Sequence, residues 1–190
     1  MLRDSQTRHV HNHFNPSSAE SPAIVTQPGA QINDIPGLWD FVRQGTSFLI
    51  HHVGANNLAR MNADTALVKY AMLLDSIRKE RPEFGRIFSP LVLPRGFNTR
   101  LRHPCWRQFN HFNRQAHHFI SQLVKLCKSC QNVFFIDYTI HHFLARMVLA
   151  ADGVHPHFAG VSLLARNIYN VILHTRRGHM GGWHDHVPTA

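Results

Sequence analysis

Long apolar runs and cysteine are both scarce in this sequence. No apolar run reaches the ~18–20 residues that a membrane-spanning helix needs, so we expect no transmembrane segment. The three cysteines in 190 residues argue against a disulfide framework and favour a reducing compartment. Residues 1–16 are polar and histidine-rich and lack the apolar core of a secretory signal. Together these absences predict an intracellular, cytoplasmic protein.

Acidic side chains are also scarce. The chain has 11 Asp and Glu against 20 Lys and Arg, a net charge of +9 before its 17 histidines are counted. Such an excess is compatible with an anionic partner but does not identify one. The hydrophobic fraction of 44% and the charged fraction of 16% are typical of a globular chain, and the length suits one domain.

Short apolar runs alternate with helical patterns along the chain. This alternation predicts parallel βαβ units with helices on both faces of a sheet. We expect one domain over residues 1–173 and a flexible His- and Gly-rich tail over 174–190. The predicted strands lie at 23–25, 47–50, 86–93 and 133–136, the helices at 63–81, 109–127 and 158–173, and a helix or turn at 32–42.

Candidate reactive groups stand where the predicted strands end, at the sheet edge where such groups gather in parallel sheets. A serine hydrolase needs a nucleophile, a base, an acid that orients the base, and donors for an oxyanion. Ser5 is the candidate nucleophile, His155 the general base and Asp152 the orienting acid. The backbone N–H groups of Ser5 and Gly29 and the side-chain amide of Asn56 are candidate oxyanion donors.

Each of these residues has a plainer reading when it is taken alone. Ser5 is then a helix N-cap, Gly29 a turn glycine and Asn56 a loop residue that bonds its own backbone. Asp152 and His155 are then ordinary loop residues. The combination, in this order and at strand ends, favours the catalytic interpretation, which requires no metal and no organic cofactor.

The same residues resemble the blocks of the SGNH hydrolases, also called GDSL-type esterases and lipases. That family has Gly-Asp-Ser, a lone Gly, Gly-x-Asn-Asp and Asp-x-x-His in this order, matched here by residues 3–5, Gly29, 54–57 and 152–155. The resemblance covers nearly the whole chain and is closest to short animal-type members, including esterase domains of retrotransposons. It implies a three-layer α/β/α sandwich with a mostly parallel, flavodoxin-like sheet. It also implies hydrolysis of a small acyl or acetyl ester through an acyl-enzyme.

The chain departs from the family pattern at three points. Arg3 replaces the first Gly, Asn57 replaces the last Asp of the third block, and only three residues precede Asp4 where the family has a full apolar strand. We therefore expect a largely truncated first strand and an N-terminally truncated product. The competing hypothesis is a catalytically impaired domain of the same fold that acts as a basic interaction module.

Two further patterns have competing interpretations. The segment from Arg95 to Cys130 holds seven Lys or Arg and no acidic residue, which is typical of a weak nucleic-acid or anionic-surface contact but also of a solvated helix face. Cys127 and Cys130 have the spacing of a zinc knuckle. A structural zinc site needs four ligands, and the chain has no second Cys pair, so we predict free thiols.

Overall fold

The structure describes most of the chain, including five strands and three long helices. The computed structural model covers residues 1–3, 9–15, 17–18, 21–90, 92–93, 95–96, 106–137 and 145–176. Asp4 and Ser5, the segment 97–105 and the last residues, 177–190, lie outside the described residues.

Five strands form one sheet in the order β2-β1-β3-β4-β5. All neighbouring strands are parallel, so their carboxyl ends meet at the same edge. The first strand is two residues long and pairs on both sides, with β2 and with β3. The strands are β1 (Leu2–Arg3), β2 (Val25–Thr26), β3 (Phe48–His52), β4 (Arg86–Pro90) and β5 (Val133–Ile136).

Helices connect the strands and cover both faces of the sheet. Three short 3₁₀ helices lie at Val10–His13, Ile32–Asp34 and Pro36–Phe41. None of the helices in the described ranges is long and apolar enough to cross a membrane. The α-helices are α1 (Ala55–Leu58), α2 (Ala63–Glu80), α3 (Trp106–Ser129), α4 (Ala145–Val148) and α5 (Phe158–Arg176).

Alternation along the strands gives the sheet two apolar faces. Leu49 and Ile87 face one cluster, which they share with the buried sides of α2 and α3. Ile50 and Phe88 face a second cluster, which they share with α5. Because successive strand residues point to opposite faces, these two clusters confirm the predicted three-layer α/β/α sandwich.

The structure shifts several predicted boundaries. The segment 32–42 forms two 3₁₀ helices instead of one helix, since Pro36 begins the second of them. The strand predicted at 47–50 is longer than expected: β3 continues through His52, and α1 begins soon after it, at Ala55. Helix α5 continues to Arg176, so the first three residues assigned to the tail are helical.

The two histidines that end β3 explain why its length was underestimated. Polar residues indicate a loop, yet His51 is fully buried and His52 is 1% exposed. The Nε2 atom of His51 lies 2.6 Å from the hydroxyl of Tyr70, which also contacts the hydroxyl of Ser89. This hydrogen-bonded group makes the burial of a polar strand end tolerable.

Burial also makes His51 a source of acid sensitivity. Desolvation by burial, with smaller contributions from His52 and the N-terminus, lowers the pKa of His51 from 6.5 to about 3. The unfolded chain therefore binds a proton at this histidine below pH 6.5, whereas the folded chain does not. The free energy of unfolding should therefore fall as the pH drops from 6.5 towards about 3.

We predict that the parent chain loses about 2 kcal/mol more unfolding free energy between about pH 7 and pH 5 than a His51→Gln variant. The glutamine keeps a polar contact to Tyr70 and does not titrate. The exposed His111→Gln serves as the matched control, since it makes the same substitution outside the core. Urea unfolding at each pH measures the difference, and identical slopes for His51→Gln and the parent would disprove it.

The start of α5 packs closely against the end of α4 and the turn that joins the two helices. A Cβ atom built on Gly160 lies 2.1 Å from the carbonyl oxygen of Val148 and 2.9 Å from Pro156. The same carbonyl accepts a hydrogen bond of 3.0 Å from the N–H of His157. Only a glycine therefore fits at position 160 without displacing backbone.

We predict that Gly160→Ala destabilises the fold by about 3 kcal/mol, because its methyl group must push the Val148 carbonyl away. Gly37→Ala is the matched control, since a Cβ there has no neighbour within 4 Å; it should change stability by about 0.5 kcal/mol or less. Thermal and urea unfolding compare the two. Equal effects of the two alanines contradict the close approach.

Candidate functional site

The parallel sheet brings the predicted site loops to one edge. Gly29 follows β2, and Asn56 lies in the short helix directly after β3. Gly54, between β3 and this helix, has a φ of +124°, and a Cβ there would lie 3.2 Å from Val92. A glycine therefore permits both the turn and the close packing at this corner.

The loop after β2 and the helix after β3 are joined by two side-chain hydrogen bonds. Asn56 Nδ2 donates to the carbonyl oxygen of Ala30 over 3.0 Å, one residue from Gly29. Asn57 Oδ1 accepts from the backbone N–H of Ile32 over 2.9 Å. The structure therefore brings Gly29 and Asn56 together, as an oxyanion site requires.

Asp152 and His155 form a hydrogen-bonded pair within one turn. His155 Nδ1 lies 2.8 Å from Asp152 Oδ2. The other carboxylate oxygen, Oδ1, accepts the backbone N–H groups of Val154 at 2.9 Å and His155 at 3.0 Å. This arrangement fixes the imidazole orientation and favours the tautomer with its proton on Nδ1.

The hydrogen bonds also determine the charge of Asp152. Partial burial raises the pKa of this carboxyl, but the two backbone N–H groups and the side chain of His155 outweigh it and lower the pKa from 3.8 to about 2. Asp152 therefore stays ionised at neutral and mildly acidic pH. The side chains of His155 and Asp152 are 31% and 32% exposed, so the pair is accessible to a substrate.

A closed turn holds this pair. The N–H of Ala150 donates to the carbonyl of His155 over 2.7 Å, and Leu149 forms an isolated antiparallel bridge with Pro156. Gly153 occupies the tip with a φ of +68°. Backbone bonds thus fix the position of His155 before the first turn of α5.

A further contact joins the His155 turn to the segment that follows β4. The N–H of Gly96 donates to the carbonyl of Gly153 over 2.6 Å. The preceding residue, Arg95, is held on both sides by Asn113, whose Oδ1 accepts from the Arg95 N–H and whose Nδ2 donates to the Arg95 carbonyl, at 2.8 and 2.9 Å. The turn therefore lies at the same carboxyl edge as the loops after β2 and β3.

The structure pairs the His155 imidazole with the Asp152 carboxylate and brings Gly29 and Asn56 together along the same edge of the sheet. Ser5 lies outside the described residues, so its role and its distance to His155 stay predictions. Strand β1 ends two residues before Ser5 and pairs with β3 through Arg3 and His52.

The described residues bring no three His, Cys, Asp or Glu side chains together as a metal-ligating set. Cys127 and Cys130 are both free thiols. Burial raises the pKa of Cys127 to about 12, so this thiol stays protonated and unreactive at neutral pH. Cys105 lies outside the described part of the chain.

Two of the described phenylalanines in the basic segment that begins at Arg95 lie in the core. Phe112 and Phe119 of α3 are 3% and 0% exposed, so neither is available to stack on a base. Arg114, Lys125 and Lys128 are exposed on the outer side of the helix. This distribution favours the solvated-face interpretation, and nucleic-acid binding stays a prediction.

Sequence reasoning missed two elements of the site. Asn57 was recognised only as a departure from the family pattern, whereas it joins two loops through the N–H of Ile32. The contact of Gly96 with the His155 turn had no signal in the sequence, because it joins backbone groups 57 residues apart (153 − 96).

Comparison with solved structures finds the same fold in esterases. A carbohydrate esterase family 3 protein from Talaromyces cellulolyticus has a TM-score of 0.69 at 16% identity, over 94% of this chain and 97% of that chain. An acetyl esterase mutant with an acetate ion has a TM-score of 0.68 at 16% identity, over 94% and 97%. A protein described as an SGNH hydrolase, from Slackia heliotrinireducens, has a TM-score of 0.59 at 18% identity, over 90% and 95%.

The likeness lies in the fold. No family model and no curated protein sequence matches the chain. At these low identities the comparison shows a shared architecture, that of SGNH hydrolases and related esterases, and leaves the chemistry to the residues of the site.

We predict that Asn57→Leu destabilises the protein by about 1–3 kcal/mol, because the N–H of the fully buried Ile32 loses its acceptor. Asn57→Asp is the matched variant. It keeps an oxygen at the same position and should lose less. Urea unfolding of both measures the difference, and an equal loss in the two variants would show that the hydrogen bond contributes nothing.

Proposed function

We propose that this chain is a serine ester hydrolase of the SGNH type. The observation that carries the proposal is the 2.8 Å hydrogen bond between Asp152 and His155, in a turn tied to the carboxyl edge of the sheet. Asn56 and Gly29 at the same edge support it. The proposed catalytic set is Ser5, His155 and Asp152, with Ser5, Gly29 and Asn56 as oxyanion donors.

His155 acts as the general base in the proposed reaction. With the Nδ1 proton directed at Asp152, Nε2 carries the lone pair that takes the proton of the Ser5 hydroxyl. The Ser5 oxygen then forms a bond to the ester carbonyl carbon, and the carbonyl becomes a tetrahedral oxyanion. When this collapses, the carbon–oxygen bond to the alcohol breaks, and His155 returns its proton to the leaving alcohol.

Deacylation repeats these steps with water in place of Ser5. His155 takes a proton from water, the hydroxide oxygen attacks the acyl-enzyme, and Ser5 regains its proton as the acid leaves. Asp152 remains ionised throughout, since its pKa is about 2, and stabilises the imidazolium that forms twice in each cycle.

Asn56 is suited to stabilise the oxyanion. Its amide has two N–H groups, and one of them is directed at Ala30, which holds the amide next to Gly29. The second N–H is the proposed donor to the substrate oxygen. A donor fixed in advance stabilises developing charge without reorganising in the transition state.

The substrate is proposed to be a small ester with a short acyl group. Two of the structural neighbours are described as an acetyl esterase and a carbohydrate esterase. The site itself supports an accessible rather than an enclosed ester, because Asp152 and His155 are each about one third exposed. The reaction needs only water as co-substrate.

We predict that Ser5→Ala lowers kcat/KM for p-nitrophenyl acetate by at least about a thousandfold, because the nucleophile is lost. The exposed Ser121→Ala is the matched control and should retain the parent rate. A fluorophosphonate probe followed by peptide mass spectrometry should place one adduct on Ser5 of the parent chain and none on Ser5→Ala.

Two outcomes would overturn this assignment. One is equal hydrolysis by Ser5→Ala and the parent. The other is a folded parent chain that neither hydrolyses esters nor forms an adduct. Retention of such an inactive chain on immobilised nucleic acid, lost on raising the salt concentration, would favour the basic interaction module instead.

A further inference from the structure

We propose that Arg95 binds an anionic group of the substrate, so that the preferred ester carries a carboxylate or phosphate in addition to the scissile bond. The inference rests on the proposed ester hydrolysis and names the class of ester. It is carried by the place of Arg95 beside the His155 turn and by a guanidinium whose charge no described residue neutralises.

The backbone of Arg95 is fixed next to the candidate site. Asn113 bonds both its N–H and its carbonyl, and the following Gly96 donates to Gly153, the residue after Asp152. Arg95 is therefore bonded on one side to α3 and, through its neighbour, to the turn that carries His155. The backbone of Arg95 is therefore held next to the turn that carries His155.

The side chain of Arg95 lies over an aromatic ring of α3. Its guanidinium carbon is 4.0 Å from the centre of the Phe112 ring. Phe119, two turns later on the same face of α3, packs against Gly54, where a Cβ would lie 3.5 Å from its ring. The guanidinium thus lies on the face of α3 that packs, two turns further along, against the corner at Gly54.

A second arginine in the same chain shows what a purely structural stacking arrangement looks like. The guanidinium carbon of Arg81 lies 4.6 Å from the Phe84 ring. Arg81 also pairs with Glu83 at 2.5 Å and donates to the carbonyl of Trp39 at 3.1 Å. Its charge and its donors therefore have partners within the protein.

Arg95 has the same stacking contact without those partners. Its Nε is buried and has no hydrogen-bond partner among the described residues. Partial burial lowers its pKa, which shows that the charge is held at a cost. Such a cation gains from an anion that brings oxygen acceptors, and a guanidinium matches carboxylate and phosphate oxygens.

The surrounding sequence offers no carboxylate in compensation. Residues 84–136, which contain β4, α3 and β5, include no Asp or Glu. Asp152 lies in the turn to which Gly96 is bonded, but its two carboxylate oxygens already accept hydrogen bonds from Val154 and His155. The net charge of +9 further favours the approach of an anionic substrate.

The test compares a neutral and an anionic ester with the same leaving group. The neutral ester is p-nitrophenyl acetate and the anionic one is mono-p-nitrophenyl succinate. We expect the ratio of kcat/KM for succinate over acetate to fall at least about tenfold in Arg95→Met, to fall less in Arg95→Lys, and to keep its parent value in Arg81→Met. A ratio cancels any loss of folded protein.

A direct binding measurement separates this inference from the proposed hydrolysis. Succinate and inorganic phosphate are titrated by calorimetry into the parent chain, Arg95→Met and Arg81→Met. Binding of either anion that is weakened at least about tenfold by Arg95→Met alone supports the anion site, and the stronger ligand identifies the group recognised.

The outcomes are distinct. Hydrolysis with an unchanged ratio in Arg95→Met, or anion binding that all three proteins share, overturns the role of Arg95 and leaves the esterase intact. Absence of hydrolysis together with binding that depends on Arg95 overturns the esterase and leaves the anion site. A parent chain that neither prefers the succinate ester nor binds either anion also overturns the role of Arg95.

Discussion

The candidate site depends on hydrogen bonds between loops that a parallel sheet by itself only places side by side. Each strand ends at the same edge but continues into its own loop. Asn56 and Asn57 tie the loop after β3 to that after β2, and Gly96 ties the segment after β4 to the turn of His155. Every one of these bonds uses a backbone N–H or carbonyl near the protein interior. Because an unpaired group there costs free energy, the backbone itself favours the assembled edge.

The end of β3, which leads into the helix of Asn56, is held by polar contacts. His51 and Ser89 meet the hydroxyl of Tyr70 beneath the edge of the sheet, on the face covered by α2 and α3. Buried hydrogen bonds of this kind favour one register, since a shift by one residue would turn both histidines to the opposite faces. The cost is that a neutral imidazole must be kept buried as the solvent becomes acidic.

The fold could be predicted from the sequence because it follows from patterns of single residues. The apolar residues of α2 recur at helical spacing, and the short apolar run Val133–Ile136 is typical of a buried strand. The alternation of such helices and strands along the chain predicts a parallel sheet. The Asp152–His155 hydrogen bond could also be predicted, since His155 comes three positions after Asp152 within one turn. The contact of Gly96 with Gly153 was not, because backbone groups are the same in every residue and only the fold pairs them. The end of β3 was missed for a similar reason. Histidine is a polar residue, and the sequence does not show the buried hydroxyl that it contacts.

The charged side chains of Asp152 and Arg95 have different partners in the structure. Asp152 and Arg95 belong to segments joined by a hydrogen bond, and an ion pair between them would neutralise both. The backbone N–H groups of the turn and the imidazole occupy the carboxylate, while the ring of Phe112 holds the guanidinium through its π face. An aromatic ring positions a cation without supplying an opposite charge. Asp152 therefore remains directed at the imidazole, and it does not neutralise the positive charge of Arg95, as the proposed anion site requires.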